Sequence, residues 1–94
     1  MALLGQGEIE RRLGSLPGWQ QRDRAIVCER VFADFVTAIA FVNRLVEPAE
    51  AANHHPDLSI SYNRVTVTLT THDEGGLTEK DFDLAQAIAT LMAP

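Results

Sequence analysis

The sequence is poor in the features that commit a chain to many functional classes. It holds a single cysteine, Cys28, so no internal disulfide is available, and its apolar neighbours in "AIVCERV" point to a half-buried strand position rather than a reactive thiol. Positive charge is scarce. Eight Lys and Arg against thirteen Asp and Glu leave a net charge of −5, and Arg11, Arg12, Arg22, Arg24, Arg30, Arg44, Arg64 and Lys80 are scattered along the chain. That dispersal argues against a nucleic-acid or anionic-membrane surface. No apolar run approaches the roughly 18 to 20 residues of a membrane span. The opening "MALLGQGEIERRL" carries acidic residues and no cleavage-site pattern, so a cytoplasmic location is expected. Ninety-four residues are too few for a second core or for a cleft between domains, and residues 1–94 are read as a single domain.

What is present is a clean succession of patterns. "GEIERRL" is a short polar helix candidate, stopped by the breakers in "GSLPGW". Residues 19–32 read as two strands, with residues 21–24 as a polar turn and "AIVCERVF" as the second strand. Asp34 is placed to cap a helix in which Phe35, Ala38, Ile39, Val42, Leu45, Val46 and Ala49 recur as one stripe. Pro48 interrupts it: either the helix kinks, or it ends near Glu47 and a second helix restarts with Pro48 in its first turn. Leu58, Ile60 and Tyr62 then alternate with serines, and Val65, Val67 and Leu69 with threonines. These read as two half-buried strands joined at Asn63-Arg64, where Asn tolerates a positive φ. "DEGG" is a further turn. Thr78-x-x-Asp81 has the spacing of a capping box before a last helix with Phe82, Ala85, Ile88, Ala89 and Met92 on its stripe. The order helix, hairpin, helix, hairpin, helix predicts an α+β fold, an antiparallel sheet covered by helices on one face.

Three histidines fall within residues 54–72, two of them adjacent in "EAANHHPDLSISY". Three imidazoles invite a zinc site. Adjacent residues in an extended segment point to opposite sides, however, and Pro56 pushes His55 toward extended geometry. There is no second cysteine and no H-E-x-x-H, so metal is disfavoured. Taken singly, each histidine is more readily a helix-terminal or satisfied surface residue, and Asp81 a capping-box carboxylate. Taken together they suggest acid–base work, because histidine titrates near neutrality and carboxylates are placed to serve it. Glu50 lies four residues before His54, one helical turn away, where it would orient that imidazole. If the second hairpin ends beside the segment after the long helix, His72 faces His54 and His55, and a flat polar ring would fit between them. By strand parity His72 falls with Thr66, Thr68 and Thr70 rather than with the buried valines.

Glu50-x3-His54-His55-Pro56, Tyr62 six residues after the proline, His72 ten further on and Asp81 nine beyond that resemble the signature of the pterin-4a-carbinolamine dehydratases. The likeness runs through "YNRVTVTLTTHDEGGLTEKDFDLA" and, more loosely, back to "FADFVTAIAFVNRL" and "LPGW", covering about residues 16–91. The resemblance implies a four-stranded antiparallel sheet with helices packed on one face, in the order α-β-β-α-β-β-α. It also implies dehydration of 4a-hydroxytetrahydrobiopterin to quinonoid dihydropterin, the recycling step after an aromatic amino acid hydroxylase, with no metal or other cofactor. By position His54 and His72 match the family's acid–base histidines, His55 one that mainly holds the pterin, and Glu50 and Asp81 their carboxylate partners. Asn53, Thr70, Thr71 and Asp73 flank them where the family contacts substrate. Homodimers or homotetramers are implied as well. Some members serve as transcriptional coactivators or assembly factors, so the alternative is a non-enzymatic dimerisation module on the same fold; the intact set of Glu50, His54, His55, His72 and Asp81 favours the enzyme. Pro48 departs from the family, whose helix is usually uninterrupted there.

Overall fold

In a computed structural model of the chain, which describes residues 2–92, the alternating segments pair into one antiparallel sheet and the amphipathic segments pack against it. The elements are α1 (Gln6–Leu13), β1 (Trp19–Arg22), β2 (Ala25–Val31), α2 (Phe35–Arg44), α3 (Val46–Ala52), β3 (Asp57–Ser61), β4 (Arg64–Leu69) and α4 (Glu79–Met92), with one 3₁₀ turn at His72–Glu74 between the last two. The four strands lie in the order β1-β2-β4-β3.

Register decides which side chains become core. Cys28 lies opposite Trp19 and Val67, Ile26 opposite Leu69, and Val65 opposite Ile60. The two central strands thus place Ile26, Cys28, Val65, Val67 and Leu69 on one face, where they join Ile9, Ala38, Phe41, Leu45, Phe82, Leu84, Ala85 and Ile88 from the helices in a single cluster. Neighbouring residues opposite one another share a face, so Val27, Thr68, Thr66 and Ser59 line the other side.

Several local expectations are corrected. The first hairpin turn is only Asp23-Arg24, because Gln21 and Arg22 already pair with Ile26 and Ala25. The second turn is Tyr62-Asn63, since Arg64 pairs with Ser61. The positive φ falls on Tyr62, at 52°, because Asn63 is held elsewhere: its Nδ2 donates to the Phe32 carbonyl at 2.9 Å and its own carbonyl accepts from the Phe32 N–H at 2.8 Å. Asp34 does cap α2, accepting the Thr37 N–H at 2.8 Å. The buried stripe there is Ala38, Phe41 and Leu45, while Phe35 and Val46 are exposed. The helix breaks at Leu45 rather than near Glu47, and Pro48 sits in the first turn of α3, where its missing N–H is no loss. β3 is an edge strand and is exposed along its length, not half-buried.

Candidate active site

The site is built at the two ends of α3 and β4 by chain reversals that local sequence dictates. Asn53 takes the left-handed conformation, φ 49° and ψ 44°, a role open to Asn when Gly is absent. Its N–H donates to Glu50 O and the His54 N–H reaches back to Ala49 O, at 3.1 and 3.0 Å, the paired bonds of a Schellman motif. The helix therefore stops before His54. The two histidines then diverge, as expected for consecutive extended residues before a proline.

This reversal corrects the expected carboxylate assignment. Glu50 and His54 would share a face only if α3 continued; instead Glu50 Oε2 meets His55 Nε2 at 2.5 Å. His54 turns inward, and its Nε2 lies 2.6 Å from Oδ1 of Asp81 on α4, with side-chain exposures of 10% and 0%. Asp81 therefore fills both roles considered for it. Its Oδ2 accepts the Thr78 N–H at 3.0 Å, which is the capping-box bond, and the Thr71 hydroxyl at 2.8 Å.

Counting protons orients the whole network. Thr71 has one hydroxyl proton and gives it to Asp81, so across the 2.8 Å Thr71–Thr78 contact Thr78 must be the donor. Thr78 in turn accepts from the Lys80 N–H at 3.3 Å. Every proton in the chain points toward the carboxylate. Burying a charge costs several kcal/mol in an apolar site unless it is saturated with donors, and this arrangement supplies them. The same logic places a proton on His54 Nε2, facing Asp81.

His72 does not continue β4. The strand ends at Leu69, Thr71 bridges to Gly76, and His72 opens the 3₁₀ turn closed by Gly75 at φ 76°. Its ring stays exposed, 3.8 Å from Asp57, outside hydrogen-bonding range. A cleft of about 270 Å³ is lined by Asn53, His54, His55, Thr70, Thr71, His72, Asp73 and Lys80. The seven residues singled out in the sequence as substrate contacts thus share one wall system. Glu50 lies outside it, in the neighbouring groove with His55 and Leu58. Lys80 was missed: it is the sole lysine, and its place between Thr78 and Asp81 at a helix start was the available signal.

Among the described residues no group of three or more His, Cys, Asp or Glu side chains is arranged to hold a metal; His54 and His55 turn their Nε2 atoms to different carboxylates. Cys28 is buried, and burial pushes its thiol up from the ordinary range, which keeps it protonated and unreactive. No helix among the described residues is long and apolar enough to cross a membrane.

With this geometry established, comparison with known proteins is informative. Residues 2–91 match a family described as pterin 4 alpha carbinolamine dehydratase. A protein of Cyanothece sp. bearing the provisional name pterin-4-alpha-carbinolamine dehydratase is 62% identical over 89 residues, covering 95% of this chain and 92% of its own. One of Acidobacterium capsulatum with the same provisional name is 56% identical over 94 residues, covering 98% of this chain and 100% of its own. A crystal structure described as a transcriptional coactivator/pterin dehydratase from Brucella melitensis superposes with TM-score 0.92 at 39% identity, covering 97% of this chain and 99% of that one. A pterin dehydratase-like RuBisCO assembly factor of the alpha-carboxysome shares the fold, at TM-score 0.64 and 20% identity, with coverage of 78% and 84%.

Proposed function

The chain belongs to the pterin-4a-carbinolamine dehydratase family, and on that premise we propose that it removes water from a 4a-hydroxytetrahydropterin bound in the histidine cleft. Substrate and product differ by one water and no electrons. The C4a–O bond breaks as the hydroxyl takes a proton and leaves as water, the N5 proton is given up, and the C4a–N5 double bond forms. The chemistry needs one acid, one base and a polar wall for the ring, and the cleft has residues for each.

The observation that carries this reading is the buried His54–Asp81 pair at 2.6 Å. A carboxylate fixed by Thr71 and Thr78 holds His54 in one tautomer, so Nδ1 is the atom that exchanges protons with substrate. His72 is the second proton-transfer group, its exposure letting it reload from solvent. His55, tethered by Glu50, mainly holds the ring, as do Asn53, Thr70, Thr71 and Asp73. Lys80 adds a cation to the same wall. The activity serves tetrahydropterin recycling after an aromatic amino acid hydroxylase.

The deciding experiment is a dehydratase assay on 4a-hydroxytetrahydropterin generated enzymatically in the cuvette. Acceleration of quinonoid dihydropterin formation above the spontaneous rate is expected; no acceleration by folded protein would leave the binding-module reading in its place. Self-association into dimers or tetramers belongs to this proposal, because edge strand β3 exposes Leu58, Ile60 and the adjoining Tyr62 at 41%, 41% and 65%. Sedimentation should find a species larger than the 10.3 kDa monomer at micromolar concentration; a monomer alone would remove it.

A further inference from the structure

We infer that a second cleft, on the side of the sheet away from the helices, binds a terminal anion carried on the substituent of the pterin substrate. This rests on the dehydratase reading and adds to it a preference for the substrate's tail. The cleft has a volume of about 480 Å³, and its walls include Arg22, Asp23, Arg24, Thr68, Thr70 and His72. Thr70 and His72 also line the histidine cleft, so the two spaces meet along these two side chains.

Its charge runs against that of the chain. The protein carries −5 overall, yet here two guanidiniums outweigh the one carboxylate, Asp23. Arg11, Arg12 and Arg64 each have a carboxylate partner. Among the described residues, the side chains of Arg22 and Arg24 make no ion pair or hydrogen bond. A guanidinium fork matches phosphate or carboxylate oxygens in pairs, and these two forks are free to do so.

The backbone that carries them is fixed to the reaction site. Arg22 pairs with Ala25 at the end of the first hairpin, Asp23 makes the turn at φ 55°, and the Arg24 carbonyl accepts the Thr70 hydroxyl at 2.6 Å. The lining of the same cleft includes Ala25 and Val27, a surface suited to the carbon atoms of a tail. In a tetrahydropterin the substituted carbon C6 is bonded to N5, the atom that loses its proton. A tail therefore leaves the ring beside the reacting bond. With His72 serving that bond, the tail emerges at the ridge His72 shares with the second cleft. A neutral hydroxyalkyl tail would leave both arginines hydrated, whereas a tail ending in phosphate or carboxylate would pair with them.

The test compares ligands that differ only in the terminal group: 6-hydroxymethylpterin, its phosphate monoester and the corresponding 6-carboxylate, titrated by pterin fluorescence against wild type and Arg22→Gln/Arg24→Gln. The phosphate ester should bind wild type about tenfold more tightly than the alcohol, as two charge-assisted contacts allow at an exposed site. The preference should fall to within about twofold in the double variant, with its fold checked by circular dichroism, and should weaken with salt. Retention of the preference for the carboxylate as well would mark a general anion site; its loss would mark one that needs phosphate. Either single variant, keeping roughly a third of the preference, serves if the double variant does not fold. Equal affinity for ester and alcohol in wild type, or a preference that survives in the double variant, overturns the inference. Dehydration of a 6-methyl substrate together with equal affinity for ester and alcohol would overturn this inference alone, and no dehydration of that substrate would overturn the dehydratase reading with it.

Discussion

The two histidines of the His-His pair are neighbours in sequence, each at hydrogen-bonding distance from a carboxylate, yet they inhabit different media. His54 meets Asp81 in the interior, with exposures of 10% and 0%, whereas His55 meets Glu50 at the surface, with exposures of 58% and 67%. The first pair is locked because every other donor around Asp81 is already committed to it. The second is screened by water and salt, where such pairs are worth about 0 to 1 kcal/mol. Contact distance alone does not separate them. Burial and the saturation of the partner do, and on the proposed reading they leave proton transfer to His54 and tethering to His55.

The sharpest way to break this contrast is to remove the two histidines proposed to transfer protons. His54→Ala should lower kcat by about 10² to 10⁴ with a smaller change in KM, as for a lost general acid or base. His54→Ala/His72→Ala should leave almost nothing, because neither ring would remain to serve either side of the substrate. Wild-type turnover in the folded double variant would put the chemistry elsewhere.

A second test concerns stability. Asp81→Ala removes the acceptor for Thr71, for the Thr78 N–H and for His54. Stranding buried donors and losing the helix cap should cost roughly 2 to 4 kcal/mol in denaturant unfolding. Glu50→Gln should cost less than about 1 kcal/mol. Equal losses at the two sites would erase the distinction drawn between them. In kinetics the exposed pair should again give the smaller response, with His55→Ala raising KM more than it lowers kcat.

The smallest effect sharpens the exposed side of the comparison. On α1, hydrogen bonds from Arg11 and then Arg12 hold the Glu8 carboxyl down from 4.5 to about 2. A depressed carboxylate stabilises the fold above its unfolded pKa and loses that contribution as pH falls through the folded one. The difference in melting temperature between wild type and Glu8→Gln should therefore be constant above about pH 5 and fade as pH falls from 4.5 to about 2. A difference independent of pH in that window would mean that Glu8 acts through packing instead.

Much of the fold was legible because periodicity is local. The alternation of Val65, Val67 and Leu69 reports a strand with one buried face whatever its partners, and the strand's burial follows it. Thr78-x-x-Asp81 reports a helix start, and Asp81 does accept the Thr78 N–H. Errors appeared where an element ended. Leu45 breaks the long helix before Pro48, which leaves Val46 exposed at the start of a new helix, while within α2 the buried side is that of Ala38 and Phe41 and not of Phe35. His72 leaves the strand pattern for a 3₁₀ turn, so parity no longer describes its direction.

The sequence by itself determined the succession of helices and strands, the buried face of β4 and the stock of imidazoles and carboxylates, because each depends on spacing within one turn or one pleat. Tertiary structure decided which carboxylate serves which histidine. Spacing assigned Glu50 to His54, but the left-handed Asn53 ends the helix between them, and α3 packs beside α4. Asp81, 27 residues away, is thereby brought to His54, and Lys80 onto the cleft wall. A pairing over that distance follows from how two helices dock on a common sheet, which no local period encodes.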